Sequence, residues 1–203
     1  MIAAVIVAGV IAHATMWWLV TSGRVSFWRA TSVTFLILGL AAALLRDPDP
    51  FDLAALAIGA VSGVALYAGT WIAVGVLVRS SSFAASVSGL YGRSGERSMS
   101  LVWVLTVAVA VPGEELFWRA LVLPELQDAT SVIIGASLVW LGYLAVNAVS
   151  RNLAIIAAAI VCGGVWTILG SIDAFTAPLA SHLVWTSLML AWPPVGDRAK
   201  VST

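Results

Sequence analysis

The chain is poor in charge. Only 10% of its 203 residues are Asp, Glu, Lys or Arg, where soluble domains carry about 25%. Hydrophobic residues make up 61%, and mean hydropathy is +1.03. A water-facing surface cannot be built from so few charges, so the solvent for most of the chain is lipid. Formal net charge is zero, which removes the global field that would draw nucleic acid, and no nucleic-acid partner is expected. Cys162 is the only cysteine. An intramolecular disulfide is therefore excluded, and in its apolar surroundings Cys162 reads as a small packing residue. No Lys or Arg precedes Arg24. Without a basic leading region, residues 1–22 read as a retained membrane helix rather than a signal peptide.

What the chain has instead is long apolar runs. A spanning helix needs about 20 mostly apolar residues, and seven segments qualify: roughly 1–22, 30–45 (with a start as early as Phe27), 53–78, 100–122, 131–150, 152–170 and 175–194. The expected fold is an all-α polytopic bundle forming one membrane domain over 1–203. The prolines of Arg46-Asp47-Pro48-Asp49-Pro50 end a helix, because proline disfavours helical geometry in the residue before it. Pro193-Pro194 closes the last span. Residues 79–99, Ser/Gly-rich with Arg79, Arg93, Glu96 and Arg97, read as the one long loop, partly interfacial through Phe83, Leu90 and Tyr91. Ser150-Arg151-Asn152 is the least marked boundary. Gly59 and Gly63 predict close helix packing, and Trp17, Trp18, Trp28 and Trp192 fall near span ends, as interfacial tryptophans do.

The basic residues divide by side. Loops after spans one, three and five and the C-terminal tail hold Arg24, Arg29, Arg79, Arg93, Arg97, Arg151, Arg198 and Lys200, and the opposite side holds Arg46. This bias supports an odd number of spans, a cytoplasmic C-terminus and an outer N-terminus, in the plasma membrane of a bacterium.

Three ionisable residues lie inside one apolar span, where each costs about 3 kcal/mol on insertion scales: Glu114, Glu115 and Arg119, in Pro112-Gly-Glu-Glu-Leu-Phe-Trp-Arg119. Glu115 and Arg119, four apart, share a helix face and can pair. Glu114 points about 100° away, and its partner must come from another helix. Ionic helix glue needs one acid for one arginine. The second acid is the one available to take a proton from water as a general base. Two further polar stripes stand in other spans, Tyr143 with Asn147 and His182 with Thr186. Asp173 reads as a loop residue or helix cap, and His13 as structural.

These residues resemble the motifs of the CAAX-protease and bacteriocin-processing (Abi) family of intramembrane endopeptidases. That family carries EExxxR, FxxxH and HxxxN or HxxxD on successive helices. Here stand Glu114-Glu115-Leu-Phe-Trp-Arg119, Tyr143-Leu-Ala-Val-Asn147 and His182-Leu-Val-Trp-Thr186. The likeness covers roughly 100–194. It implies a site in which Glu114 is the base, His182 its partner, Asn147 a group orienting water or an oxyanion, and Glu115, Arg119, Tyr143 and Thr186 supporting residues. The implied substrate is a membrane-associated protein or peptide within the lipid bilayer. Asn147 stands where the family has histidine, and Thr186 where it has asparagine or aspartate. The family is labelled a metalloprotease, but one nearby histidine supplies a zinc ion poorly, since catalytic zinc takes three protein ligands. No metal ligand is therefore assigned.

Three readings follow. The first is hydrolysis of a peptide bond by water activated by Glu114 with His182. The second is an inactive relative serving as scaffold, chaperone or immunity protein, motivated by Asn147 and Thr186. The third is a proton or ion pathway through buried carboxylates, disfavoured by the lack of a repeat. Depth along the helices is a check. At 1.5 Å per residue, Glu114 lies ~12 Å and His182 ~10 Å from the outer ends of their spans, but Asn147 lies ~25 Å from the outside. The mismatch points to misplaced ends of spans five and six, or to a break at Pro112-Gly113.

Overall fold

The computed structural model describes residues 1–47, 50–92, 99–172 and 175–194. These form eight helices and no strand: α1 Ile2–Thr21, α2 Phe27–Leu45, α3 Leu53–Leu77, α4 Ser81–Gly92, α5 over 99–129, α6 Val132–Ala148, α7 Leu153–Ile172 and α8 Thr176–Ala191. Seven of them match the expected spans. Helices α1, α2, α3, α5 and α7 are long and apolar enough to cross a membrane, and α6 is a shorter apolar helix. The expectations for Pro48 and Asp49, Arg93, Glu96 and Arg97, Asp173, and Arg198 and Lys200 lie outside the described residues, as do the side chains of Leu90 and Tyr91.

Local chemistry sets the helix ends. Asp52 accepts from the backbone N–H groups of Ala54 (2.6 Å) and Ala55 (3.2 Å) and so caps α3. Asn152 does the same for α7 through Ala154 and Ile155, at 3.0 and 3.2 Å. The boundary at 150–152 is thus a true turn, with Arg151 in the left-handed region at φ 52°. The Asn152 amide also donates to Ser86 O in α4, 3.0 Å away. Helix α4 corrects the expectation of a loop across 79–99. Its Phe83 and Val87 bury against Val74, and this packing overrides the weak helix propensity of a Ser/Gly-rich stretch.

The exterior is apolar, with Leu40, Leu44, Ile58, Val61, Ile72, Ile133 and Ile168 largely exposed. That is the surface a helix bundle shows to lipid. Trp18 and Trp192 are exposed, as the interfacial reading expects, but Trp17 and Trp28 are buried. Both face inward because the bundle interior gives their rings more apolar contact than the boundary does.

Close approaches at glycine draw the helices together. A Cβ on Gly59 would lie 2.2 Å from Ala177 O, and one on Gly63 2.5 Å from Ser181 O, so the predicted glycine face meets α8. A Cβ on Gly113 would lie 2.1 Å from Phe35 O, and one on Gly39 2.6 Å from Gly113 Cα. This crossing of α2 and α5 fixes the height of Glu114. Gly113→Ala is accordingly expected to destabilise the protein by about 1–3 kcal/mol, the usual effect of overpacking. Gly75→Ala, where a Cβ meets nothing within 4 Å, is expected to raise stability by up to about 1 kcal/mol, since alanine favours a helix over glycine. Thermal unfolding of the two variants in detergent checks the contrast.

Candidate functional site

Helix α5 delivers the acidic pair, and its winding is irregular. Val111–Glu115 is α-helical, but Val104–Ala110 before it and Leu116–Val122 after it wind in the wider i→i+5 π form. Each wide stretch ends two residues before a proline, Pro112 or Pro124. A proline inside a helix lacks an N–H and crowds the carbonyl four residues back. Widening the preceding turns relieves the crowding, and such turns concentrate at functional sites. The helix therefore passes Pro112-Gly113 unbroken and runs to Ala129 rather than ending at 122. With the outer end moved, Glu114 lies ~22 Å from it at 1.5 Å per residue, close to the figure for Asn147. Spans five and six stand where expected, as α6 and α7, and the bond of His182, ~10 Å from the outer end of its own span, to Glu115 means that distances counted from helix ends do not report relative depth here.

The two glutamates separate by surroundings. Glu115 and Arg119 have no exposed surface. Arg119 Nη1 stands 3.6 Å from Glu115 Oε1, an ion-pair distance rather than a hydrogen bond. Its Nη2 donates to Gly163 O at 3.4 Å. The guanidinium carbon lies 4.6 Å from the centre of the Tyr143 ring and 5.8 Å from that of Trp166, close enough for cation–π attraction. Glu115 Oε1 also takes His182 Nδ1, 2.7 Å away. The His182 ring stacks on Trp166 with centroids 3.6 Å apart and planes 19° off parallel. The sequence paired Glu115 with Arg119 and His182 with Glu114. The structure makes the first pair and brings His182 to Glu115 instead.

Glu114 takes its hydrogen bond from another helix, as its register requires. Tyr143 Oη, on α6, donates to Glu114 Oε1 at 2.5 Å. Gly163 on α7 leaves room for that ring, since a Cβ there would meet Tyr143 Cδ1 at 2.7 Å. Glu114 Oε2 has no partner among the described residues and is not sealed off. It borders a cleft of about 730 Å³ whose walls also include His13, Tyr143, Asn147, His182 and Thr186. Neither Glu115 nor Arg119 lines this space.

Asn147 and His13 both line the cleft and both bond to side chains of other helices. Asn147 Oδ1 accepts from Trp17 Nε1 at 3.0 Å, and its amide donates to Tyr143 O at 2.9 Å. The first bond ties α1 to α6, and the second lies within α6. His13 is buried, yet it lines the cleft, and its Nδ1 accepts from Trp118 Nε1 at 3.2 Å. Its ring meets Phe35 and Tyr143 edge-on, with centroids 4.9 and 6.2 Å apart. The bonding partner of His13 is 105 residues away, so no spacing rule within α1 could point to it. The available hint is that the chain has two histidines and both are in apolar spans. Cys162 is buried, as a packing residue should be.

The donors do not suit a catalytic zinc ion. Among the described residues, no three His, Cys, Asp or Glu side chains gather as a metal-holding group. At the cleft wall Glu114 and His182 Nε2 could each hold a metal, but the Nδ1 lone pair of His13 is taken by the Trp118 indole N–H, which leaves the set short of the three protein ligands of catalytic zinc.

Removing one member of a buried pair leaves a bare charge, a loss of about 3–5 kcal/mol. Glu115→Ala is therefore expected to collapse the yield of folded protein, because it strips Arg119 and His182 of their shared anion. Glu114→Gln keeps a polar group at the cleft wall and is expected to give wild-type yield. Size-exclusion profiles of the two variants in detergent read the difference.

Comparison with known proteins follows the same region. No curated protein and no solved structure is significantly similar to the chain. Residues 96–188 match the family described as type II CAAX prenyl endopeptidase Rce1-like, a segment that begins just before α5 and ends inside α8. That segment, a little under half of the chain, is similar to the Rce1-like family of type II CAAX prenyl endopeptidases.

Proposed function

We propose that this protein is an intramembrane endopeptidase in which Glu114 activates water against a peptide bond of a membrane-associated protein or peptide. The observation that carries the proposal is the division of the acidic pair. Glu115 is sealed with Arg119, while Glu114 faces a cleft with one oxygen held by Tyr143 and the other free. A general base must be in reach of water and fixed in aim, and Glu114 meets both conditions.

His182 has a complementary part. The carboxylate of Glu115 can only accept, so Nδ1 of His182 carries a proton, and in the neutral ring Nε2 then offers a lone pair. Water held between Glu114 Oε2 and His182 Nε2 gives a proton to Glu114 as its oxygen bonds to the scissile carbonyl carbon. The carbonyl π pair moves onto oxygen. When the tetrahedral intermediate collapses, the C–N bond breaks and Glu114 returns the proton to the leaving nitrogen. Tyr143 holds Glu114 in line throughout, and Thr186 lines the same wall.

The cleft continues past this point along Leu66, Val74, Phe83 and Val87, an apolar wall suited to a substrate bearing an apolar chain. The family's name supplies the first probe, a prenylated peptide of CAAX form. The arrangement of arginines keeps the proposed orientation with the C-terminus in the cytoplasm.

A second reading, an inactive scaffold, draws on Asn147, whose side chain is occupied at both ends. The two readings separate on Glu114. With the prenylated peptide, Glu114→Gln is expected to abolish cleavage, and Tyr143→Phe to lower kcat with little change in KM. Undiminished cleavage by Glu114→Gln would remove the mechanism. A wild-type protein that cleaves nothing would favour the scaffold.

A further inference from the structure

Both histidines of the chain line the same cleft as Glu114, but their hydrogen bonds fix them in opposite tautomers. An indole N–H is a donor only. Trp118 Nε1 points at His13 Nδ1, 3.2 Å away, so that nitrogen holds a lone pair and the proton of the neutral ring is on Nε2. At His182 the order is reversed, because Nδ1 faces the Glu115 carboxylate at 2.7 Å. One ring therefore presents an N–H and the other a lone pair. His13 Nε2 has no partner among the described residues and is not closed off from the cleft.

The site needs such a donor. Hydrolysis builds negative charge on the carbonyl oxygen, and pre-aimed donors provide much of an enzyme's stabilisation of that charge. Arg119 does not border the cleft. Asn147 already donates to Tyr143 O and accepts from Trp17. The Tyr143 hydroxyl is given to Glu114. The Trp166 indole N–H also lacks a partner but is sealed from the cleft, which leaves the second amide hydrogen of Asn147 and the Nε2–H of His13 at the wall; of the two, His13 is the more rigidly set. Its ring meets Phe35 and Tyr143 edge-on, and the Trp118 bond prevents rotation of the ring without the loss of a buried partner.

We infer that His13, from the first helix and outside the matched segment, is a catalytic residue whose Nε2–H holds the carbonyl oxygen of the scissile bond while Glu114 and His182 handle the water. The inference rests on the endopeptidase reading, and it adds α1 to a site otherwise built from α5, α6 and α8. The step transfers no proton to or from His13. Its N–H···O bond shortens as charge builds on oxygen and relaxes as the carbonyl reforms.

Two measurements test it. In ¹⁵N-histidine-labelled protein in micelles, assigned with the His182→Gln variant, His13 is expected to show an unprotonated Nδ1 and a protonated Nε2, with the reverse at His182. Titration with a prenylated CAAX-type peptide aldehyde, whose hydrate imitates the tetrahedral carbon, is expected to shift the His13 Nε2 resonance. A protonated Nδ1 at His13, or an Nε2 that ignores the aldehyde while other resonances respond, would overturn the inference even if the protein cleaves peptides. In the second measurement, with the cleavable peptide, His13→Leu is expected to lower kcat about 100- to 1,000-fold, as loss of an oxyanion donor does, with KM changed less than about threefold. His13→Gln, which restores an N–H, is expected to recover most of that loss. Equal losses in Leu and Gln variants of normal thermal stability would also overturn it. If the wild type cleaves nothing, the endopeptidase reading fails, and the aldehyde titration still decides whether His13 meets a carbonyl.

Discussion

Arg119 has no exposed surface, and much of the bundle's interior is arranged around its one positive charge. A guanidinium in an apolar interior must find an anion, hydrogen-bond acceptors and polarisable faces, or the helix carrying it does not pack. Glu115 provides the anion, Gly163 a carbonyl, and Tyr143 and Trp166 the ring faces. These groups come from α5, α6 and α7. His182 adds α8 through the same carboxylate oxygen. One buried charge thus sets the register of four helices.

That constraint also explains the site. The Tyr143 ring that lies over Arg119 carries the hydroxyl that bonds Glu114. The Trp166 ring near Arg119 stacks on His182. The structural ion pair therefore aims the groups that border the cleft without bordering it. Two acids adjacent in sequence end in different environments because 100° of helical rotation sends one to the arginine and the other to open space. The two wide turns on either side keep Val111–Glu115 regular where Gly113 presses on Phe35.

Local rules made part of this legible in the sequence. The Glu115–Arg119 pair, the leftover status of Glu114 and the packing role of Gly59 and Gly63 follow from helical spacing alone. The seven spans follow from apolar run length. Other features depend on partners far along the chain. His13 meets Trp118, and Trp17 meets Asn147, and no periodicity reports such pairs. Trp17 read as interfacial because it stands near a helix end, yet an inward-facing tryptophan occupies the same place in sequence. Span four was cut short because Pro124, Glu125, Gln127 and Asp128 look like a turn. They continue the helix because the wide turn ahead of Pro124 absorbs the proline, and Glu125 meets Arg46 at 3.4 Å at the bundle surface. Helix α4 escaped notice because its stability lies in Phe83 and Val87 packing on Val74 rather than in its own composition.

The central claim is that Arg119 binds Glu115 as its structural partner and leaves Glu114 free for chemistry. A double-mutant cycle on thermal stability in detergent tests it most directly. In an Arg119→Met background, Glu115→Gln removes an anion that has lost its cation. The account predicts that this second change restores part of the lost stability, with a coupling of about 0.5–3 kcal/mol, the range for residues in one ion-pair network. Glu114→Gln in the same background is predicted to show the smaller coupling, carried through Tyr143 alone. Rescue by Glu114→Gln and none by Glu115→Gln would contradict the division of the pair on which the proposed site depends.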